Sequence, residues 1–208
     1  MEINWVFGSC SVPDREADEK VQKPIMWNRA RHDVECARKK DDSIWSSSLG
    51  RGGLRVMATK DDIENALQSA TQVLGRFGRT FDVSAEDMAK WFAADTLYPD
   101  ITLDEVLKNP WLVVHEIVEI DAVKRAGLVL TKDVIVTHPE EVDRAHLEAA
   151  IVELKIATKN MDKAHLKDRI PNIRSWSKDP QVLPEMRAIY ARLCRETEQA
   201  LRTIENEE

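Results

Sequence analysis

The sequence predicts an all-α protein, a bundle of four to five main helices that occupies residues 57–208. Apolar residues recur at three- and four-residue spacing from Thr59 onward, which is the periodicity of helices with one buried face. Capping residues stand before several of these segments. Only two short segments, 128–130 and 134–136, could form strands, and we interpret both as an extended connector between helices.

The first two predicted helices each follow a capping residue. Thr59 begins a helix that ends near Gly75 and Gly78, and Ser84 begins a shorter helix that stops near Pro99. Their predicted apolar faces are Ile63, Leu67, Ala70, Val73, Leu74 and Phe77 in the first helix, and Met88, Trp91 and Phe92 in the second.

Two capping boxes and a proline predict the middle of the bundle. The box Thr102–Glu105 indicates a short third helix. Pro110 suits a first helical turn, and the helix that it begins should run to about Gly127. The box Thr137–Glu140 should begin a long helix that ends near Asn160.

The C-terminal third is predicted to be a loop followed by one helix. Because proline breaks helices, Pro171 and Pro180 predict a loop-rich stretch. The last helix should run from about Leu183 to Ile204, with Cys194 packed on its apolar face.

Residues 1–56 differ from the rest of the chain. They carry a net charge of +1, against −8 for residues 57–208, and show no sustained periodicity. They end in a Ser- and Gly-rich segment typical of flexible linkers, and Met57 looks like a new protein start. We therefore expect residues 1–56 to be disordered or loosely attached, or translated from upstream of the true start codon. A folded N-terminal module is the alternative.

Composition limits the classes of function. The net charge of −7 argues against non-specific nucleic-acid binding, and no apolar run is long enough to cross a membrane. The three cysteines are widely spaced and odd in number, which is typical of reduced thiols. These features predict a cytoplasmic protein.

Histidine and acidic residues at helical spacing predict a metal site. His115, Glu116 and Glu119 fall within an arc of roughly 100° on the fourth predicted helix. His146 and Glu153 lie two turns apart on the long helix that follows. A short connector should make these helices antiparallel neighbours and bring the side chains together. Mixed nitrogen and oxygen ligands of this kind suit divalent zinc, manganese, iron or cobalt.

A structural role explains the same residues without a metal. A histidine and a glutamate one turn apart often form only a hydrogen-bonded pair, and Glu116 could face solvent and pair with Lys124 or with a neighbouring helix. If one metal is bound, the ring nitrogens of His115 and His146 should approach within roughly 4 Å, since ligands lie about 2.0–2.2 Å from the ion.

The run Leu112–Ala122 resembles the central helix of HD-superfamily metal-dependent phosphohydrolases. His115 and Glu116 match that family's His-Asp doublet, and Glu119 matches the acid that follows it. The resemblance implies an HD-domain-like helical bundle in which a divalent metal activates water for attack on a phosphate ester. It also implies an upstream histidine, for which the chain offers only His32, and a closing acid. Asp143, Asp162 and Asp168 are the candidates for that acid.

Together these observations favour a metal-dependent hydrolase of phosphate-containing small molecules. His115, Glu116, His146 and Glu153 would hold the metal, and Glu119 would act as a general base or orient a ligand. The alternative is a non-enzymatic helical interaction or assembly protein, with buried His/Glu pairs and a surface for a homodimer. The remaining histidines, His138 and His165, are expected to be structural, and Trp176 to anchor a loop or stack on a base.

Overall fold

The computed structural model describes residues 58–96 and 101–207. Within them the chain forms helices and connecting turns without strands, which confirms the all-α prediction. The predictions for residues 1–56 and for His32 lie outside the described residues. The helices are α1 (Lys60–Gly75), α2 (Ala85–Phe92), α3 (Leu103–Val106), α4 (Pro110–Arg125), α5 (Val134–Thr137), α6 (Pro139–Lys159), α7 (Lys163–Trp176) and α8 (Pro184–Asn206).

The predicted capping residues begin the first four helices. The side chains of Thr59, Ser84 and Thr102 each accept a hydrogen bond from the third residue of their helix, whose own carboxylate bonds back. Asn109 caps α4 ahead of Pro110. These contacts satisfy backbone N–H groups that a helix leaves without partners at its first turn.

Helix α4 lies at the centre of the fold, since every residue from Val113 to Val123 is buried. Helix α6 packs against it and separates two apolar clusters. Ala149 belongs to the cluster with α1, α2 and α4, whereas Ala150 belongs to the cluster with α7 and α8, and neither side chain is exposed. The polar groups of α4 and α6 are therefore buried with them and need partners inside the protein.

Three predictions for the segments around α5, α6 and α7 are wrong. Residues 134–136 belong to the short helix α5. Helix α6 has His138 rather than Thr137 at its cap position and lacks a side-chain cap, while the Thr137 hydroxyl donates to the carbonyl of Asp133, which precedes α5. The predicted loop around Pro171 is the helix α7. A proline removes one helical hydrogen bond, but Leu166, Ile170 and Ile173 are buried at helical spacing and hold the segment against α8.

A tight turn joins α6 to α7. Met161 adopts a left-handed conformation with φ of 54°, and the N–H of Asp162 returns to the carbonyl of Ala157. Asp162 then caps α7 by accepting from the N–H of His165 at 3.0 Å. The turn thus places the first residues of α7 beside the end of α6.

Among the helices of the described ranges, none combines the length and the hydropathy that a bilayer crossing requires.

Candidate metal centre

The candidate site lies between α4 and α6. His115 contacts Glu153, and Glu119, one turn later on α4, contacts His146, which precedes Glu153 on α6. Residue numbers that increase along α4 thus pair with residue numbers that decrease along α6, so the two helices run antiparallel as predicted. The expectation for the two imidazoles is also confirmed, because Nε2 of His115 lies 3.0 Å from Nδ1 of His146.

Three side chains converge on one point. Oε2 of Glu119 lies 3.3 Å from Nε2 of His115 and 3.3 Å from Nδ1 of His146. With ligands about 2.1 Å from an ion, neighbouring donor atoms lie roughly 3.0 Å apart at a right angle and roughly 3.4 Å apart in a tetrahedron. The observed separations fall in this range. His115, Glu119 and His146 therefore form a buried group that could hold a metal ion.

Burial and charge act in opposite directions on His115. Burial alone lowers the pKa of the imidazole, but hydrogen bonds to Glu119 and Glu153 outweigh it and raise the pKa from 6.5 to about 9. Without a metal, the ring is therefore a cation between two carboxylates at neutral pH. A divalent ion would replace that proton, because a metal-bound imidazole is neutral.

Glu153 lies behind His115 rather than with the three converging side chains. Its Oε2 is 2.6 Å from Nδ1 of His115, on the opposite edge of the ring from His146. The width of the His115 ring therefore separates Glu153 from His146, and Glu153 lies outside the group formed by His115, Glu119 and His146. Burial would raise the pKa of Glu153, but the Arg169 charge and hydrogen bonds from His115 and His165 hold it well below its usual range.

Glu116 also lies apart from the converging group. Its buried carboxylate accepts a hydrogen bond from Nε1 of Trp91 in α2 at 3.1 Å. Glu116 is thus paired with a neighbouring helix, and the alternative of a solvent-facing pair with Lys124 is wrong because Glu116 is buried and Lys124 bonds Asp87 at 3.0 Å. Glu116 therefore joins α2 to α4.

Asp143 is the candidate among the three closing acids that lies near the site. It stands three residues before His146 on α6 and interacts electrostatically with Glu119. Asp162 instead caps α7 and accepts from Trp111, and Asp168 is exposed. An acid and a histidine at this spacing share one helix face, as in the Glu-x-x-His ligand pairs of helical di-iron proteins.

The carboxylate of Asp143 loses water on burial without gaining enough hydrogen bonds or positive charges in return. Within residues 58–96 and 101–207, its buried Oδ2 atom has no hydrogen-bond partner. Burial, followed by the negative charges of Glu119, Asp179 and Glu140, raises the pKa of Asp143 to about 7. A cation beside Glu119 would relieve this repulsion.

Asp143→Asn should therefore stabilise the metal-free protein. The folded-state pKa lies above the unfolded value of 3.8, so the unfavourable contribution grows as pH rises from about 4 and is complete above about 7. Urea unfolding in chelator should show the variant more stable at pH 8 by on the order of 2 kcal/mol, and by less at pH 5. The exposed Asp168→Asn is the control, and an equal difference at both pH values would contradict this account.

Sequence reasoning missed two residues behind His115. His165 was expected to be structural and was not assigned to the site, yet it is 5% exposed and its Nε2 lies 2.5 Å from Oε1 of Glu153. Nη2 of Arg169 donates to Oε2 of Glu153 at 3.1 Å, and its guanidinium lies over the ring of Trp176. The helical spacing of the apolar residues in α7 would have placed both side chains on the α6 side.

Three further side chains named in the sequence analysis are buried or half-buried in the helical domain. Trp176 ends helix α7 rather than anchoring a loop, and its buried ring packs edge-on against His146, with ring centroids 4.7 Å apart. His138 is half-buried at the start of α6. Cys194 is buried on α8 as predicted.

Comparisons of the chain with family models, with curated proteins and with solved structures found no match.

Proposed function

We propose that this protein is a divalent-metal-dependent hydrolase of phosphate-containing small molecules. The observation that carries the proposal is the convergence of His115, Glu119 and His146, with donor atoms 3.0 and 3.3 Å apart. In this proposal Glu119 is a ligand, whereas Glu153 supports His115 and Glu116 joins two helices.

The ligand set suits a catalytic metal. Two imidazole nitrogens and one carboxylate oxygen occur in catalytic zinc sites, which leave the fourth position to water. Manganese, iron and cobalt also accept such a set. A bound divalent ion would supply a nucleophile near neutral pH by lowering the pKa of water.

Asp143 is proposed as the acid that completes the site. It interacts electrostatically with Glu119 and lies one turn before His146, at a half-buried position of α6. In this proposal its carboxylate accepts a proton from the attacking water. The choice of phosphate esters as substrates follows from the resemblance of Leu112–Ala122 to HD phosphohydrolases.

The alternative proposal is a non-enzymatic helical interaction protein. The buried pairs of His115 with Glu153 and of Trp91 with Glu116 favour it, because each stabilises packing without a metal. This alternative predicts a protein that holds no divalent ion and hydrolyses no ester.

Hydrolysis tests distinguish the two proposals. Protein loaded with manganese, cobalt or zinc should hydrolyse p-nitrophenyl phosphate, bis-p-nitrophenyl phosphate or nucleoside phosphates, and chelator should abolish turnover. Glu119→Gln should lose this activity, because an amide is a poor ligand for these ions. Glu148→Gln, on the surface of α6, should retain it. A metal-loaded wild type that hydrolyses none of these compounds would contradict the proposed reaction.

A further inference from the structure

Glu153 is the most completely satisfied charged group behind the metal centre. Its side chain is fully buried, and both carboxylate oxygens are held. Oε2 contacts Nδ1 of His115 at 2.6 Å and Nη2 of Arg169 at 3.1 Å. Oε1 lies 2.5 Å from Nε2 of His165 and 2.8 Å from Nε of Arg169. Groups from α4 and α7 thus fix the carboxylate of an α6 residue.

These contacts belong to a closed circuit that begins and ends on α4. Trp111, one turn before His115, donates from Nε1 to Oδ2 of Asp162 at 2.6 Å. Asp162 accepts from the backbone N–H of His165, whose ring also packs against Trp111 at 5.5 Å. His165 then contacts Glu153, and Glu153 returns the circuit to His115.

The circuit fixes both the orientation and the tautomer of His115. A carboxylate can only accept a hydrogen bond, so Nδ1 of His115 carries the proton that points to Glu153. Once a metal ion displaces the proton from Nε2, this atom presents its lone pair towards His146 and Glu119. Without this contact, the ring could adopt the other tautomer or turn away.

We propose that Glu153, His165 and Arg169 are positioning residues that set the metal affinity of the centre through His115. The inference rests on the proposed metal site and adds that α7, which contributes none of the three proposed ligands, controls that site. Supporting carboxylates behind metal-bound histidines are commonly worth about 10- to 100-fold in metal affinity.

The test compares zinc affinity and cobalt spectra among variants at His165. His165→Leu removes the contact with Glu153 and should weaken zinc binding by about 10- to 100-fold in competition with a chromophoric chelator. Its cobalt complex should also show shifted visible bands, since Glu153 loses one of the groups that fix its carboxylate behind His115. His165→Gln places an N–H donor near the original Nε2 and should restore both the affinity and the bands towards wild type.

Each outcome of this test has a distinct meaning. If His165→Leu folds and binds zinc and cobalt as wild type does, the positioning role is wrong while the metal site stands. If wild type binds neither ion, the metal site itself is wrong, and this role with it. Should His165→Leu not fold, Arg169→Met replaces it, because the methionine can keep an apolar contact with Trp176 while it loses the bonds to Glu153. It should show the same weakening, and wild-type binding would overturn the role.

Discussion

His146→Ala is expected to abolish zinc binding at micromolar concentrations. The substitution removes one of three converging donors and leaves a cavity beside Trp176, whose ring packs against the imidazole. The loss of affinity should exceed the roughly 100-fold that loss of a supporting residue costs, because the ion loses a direct ligand. Equilibrium dialysis followed by elemental analysis would measure the bound zinc.

His138→Ala is the matched control for this result. His138 lies on the same segment, at the start of α6, but is half-buried and outside the converging group. It should retain the zinc stoichiometry of wild type. Equal zinc binding by His146→Ala and wild type would place the ion elsewhere and contradict the proposed ligands.

Glu153→Leu is expected to give the largest loss of stability. Glu153 is the buried anion that balances Arg169 and the protonated His115, and removing one partner of a buried ionic network typically costs about 3–5 kcal/mol. Because its folded pKa lies below 4.5, the stabilising contribution is present at neutral pH and is lost only as pH falls through the folded value. Urea unfolding of metal-free protein at pH 7 would measure the effect.

Glu148→Gln provides the comparison for that measurement. Glu148 is also a glutamate of α6 that pairs with arginines, Arg79 and Arg125, but it does so at the surface. Its loss should cost no more than about 1 kcal/mol. Similar losses for the two variants would show that Glu153 is not a buried electrostatic centre.

Local spacing predicted much of the fold and part of the site. Capping residues and apolar periodicity located α1, α2, α3 and α4, and the His/Glu stripes of α4 and α6 correctly predicted that the two helices face each other. The spacing of these residues could not decide which glutamate contacts which imidazole. Glu116 and Glu119 share one arc of α4, but Trp91 of α2 takes Glu116, and that contact depends on tertiary packing.

The contacts of His165 and Arg169 with Glu153, behind His115, were not predicted because proline was expected to break the helix. Pro171 and Pro180 predicted a loop, so His165 and Arg169 were not expected to face α6. Burial of Leu166 and Ile173 stabilises α7 despite the hydrogen bond that Pro171 cannot make. The buried carboxylate of Glu153 then contacts both His165 and Arg169. Neither the spacing of Glu153 from His146 nor its residue type indicated that role.

X-ray absorption spectroscopy of the zinc-loaded protein would test the central claim most directly. We predict one zinc ion per chain, with two imidazoles and oxygen donors about 2.0–2.2 Å from the metal, and loss of one imidazole in His146→Ala. A protein that takes up no zinc, or a zinc ion without histidine ligands, would contradict the account.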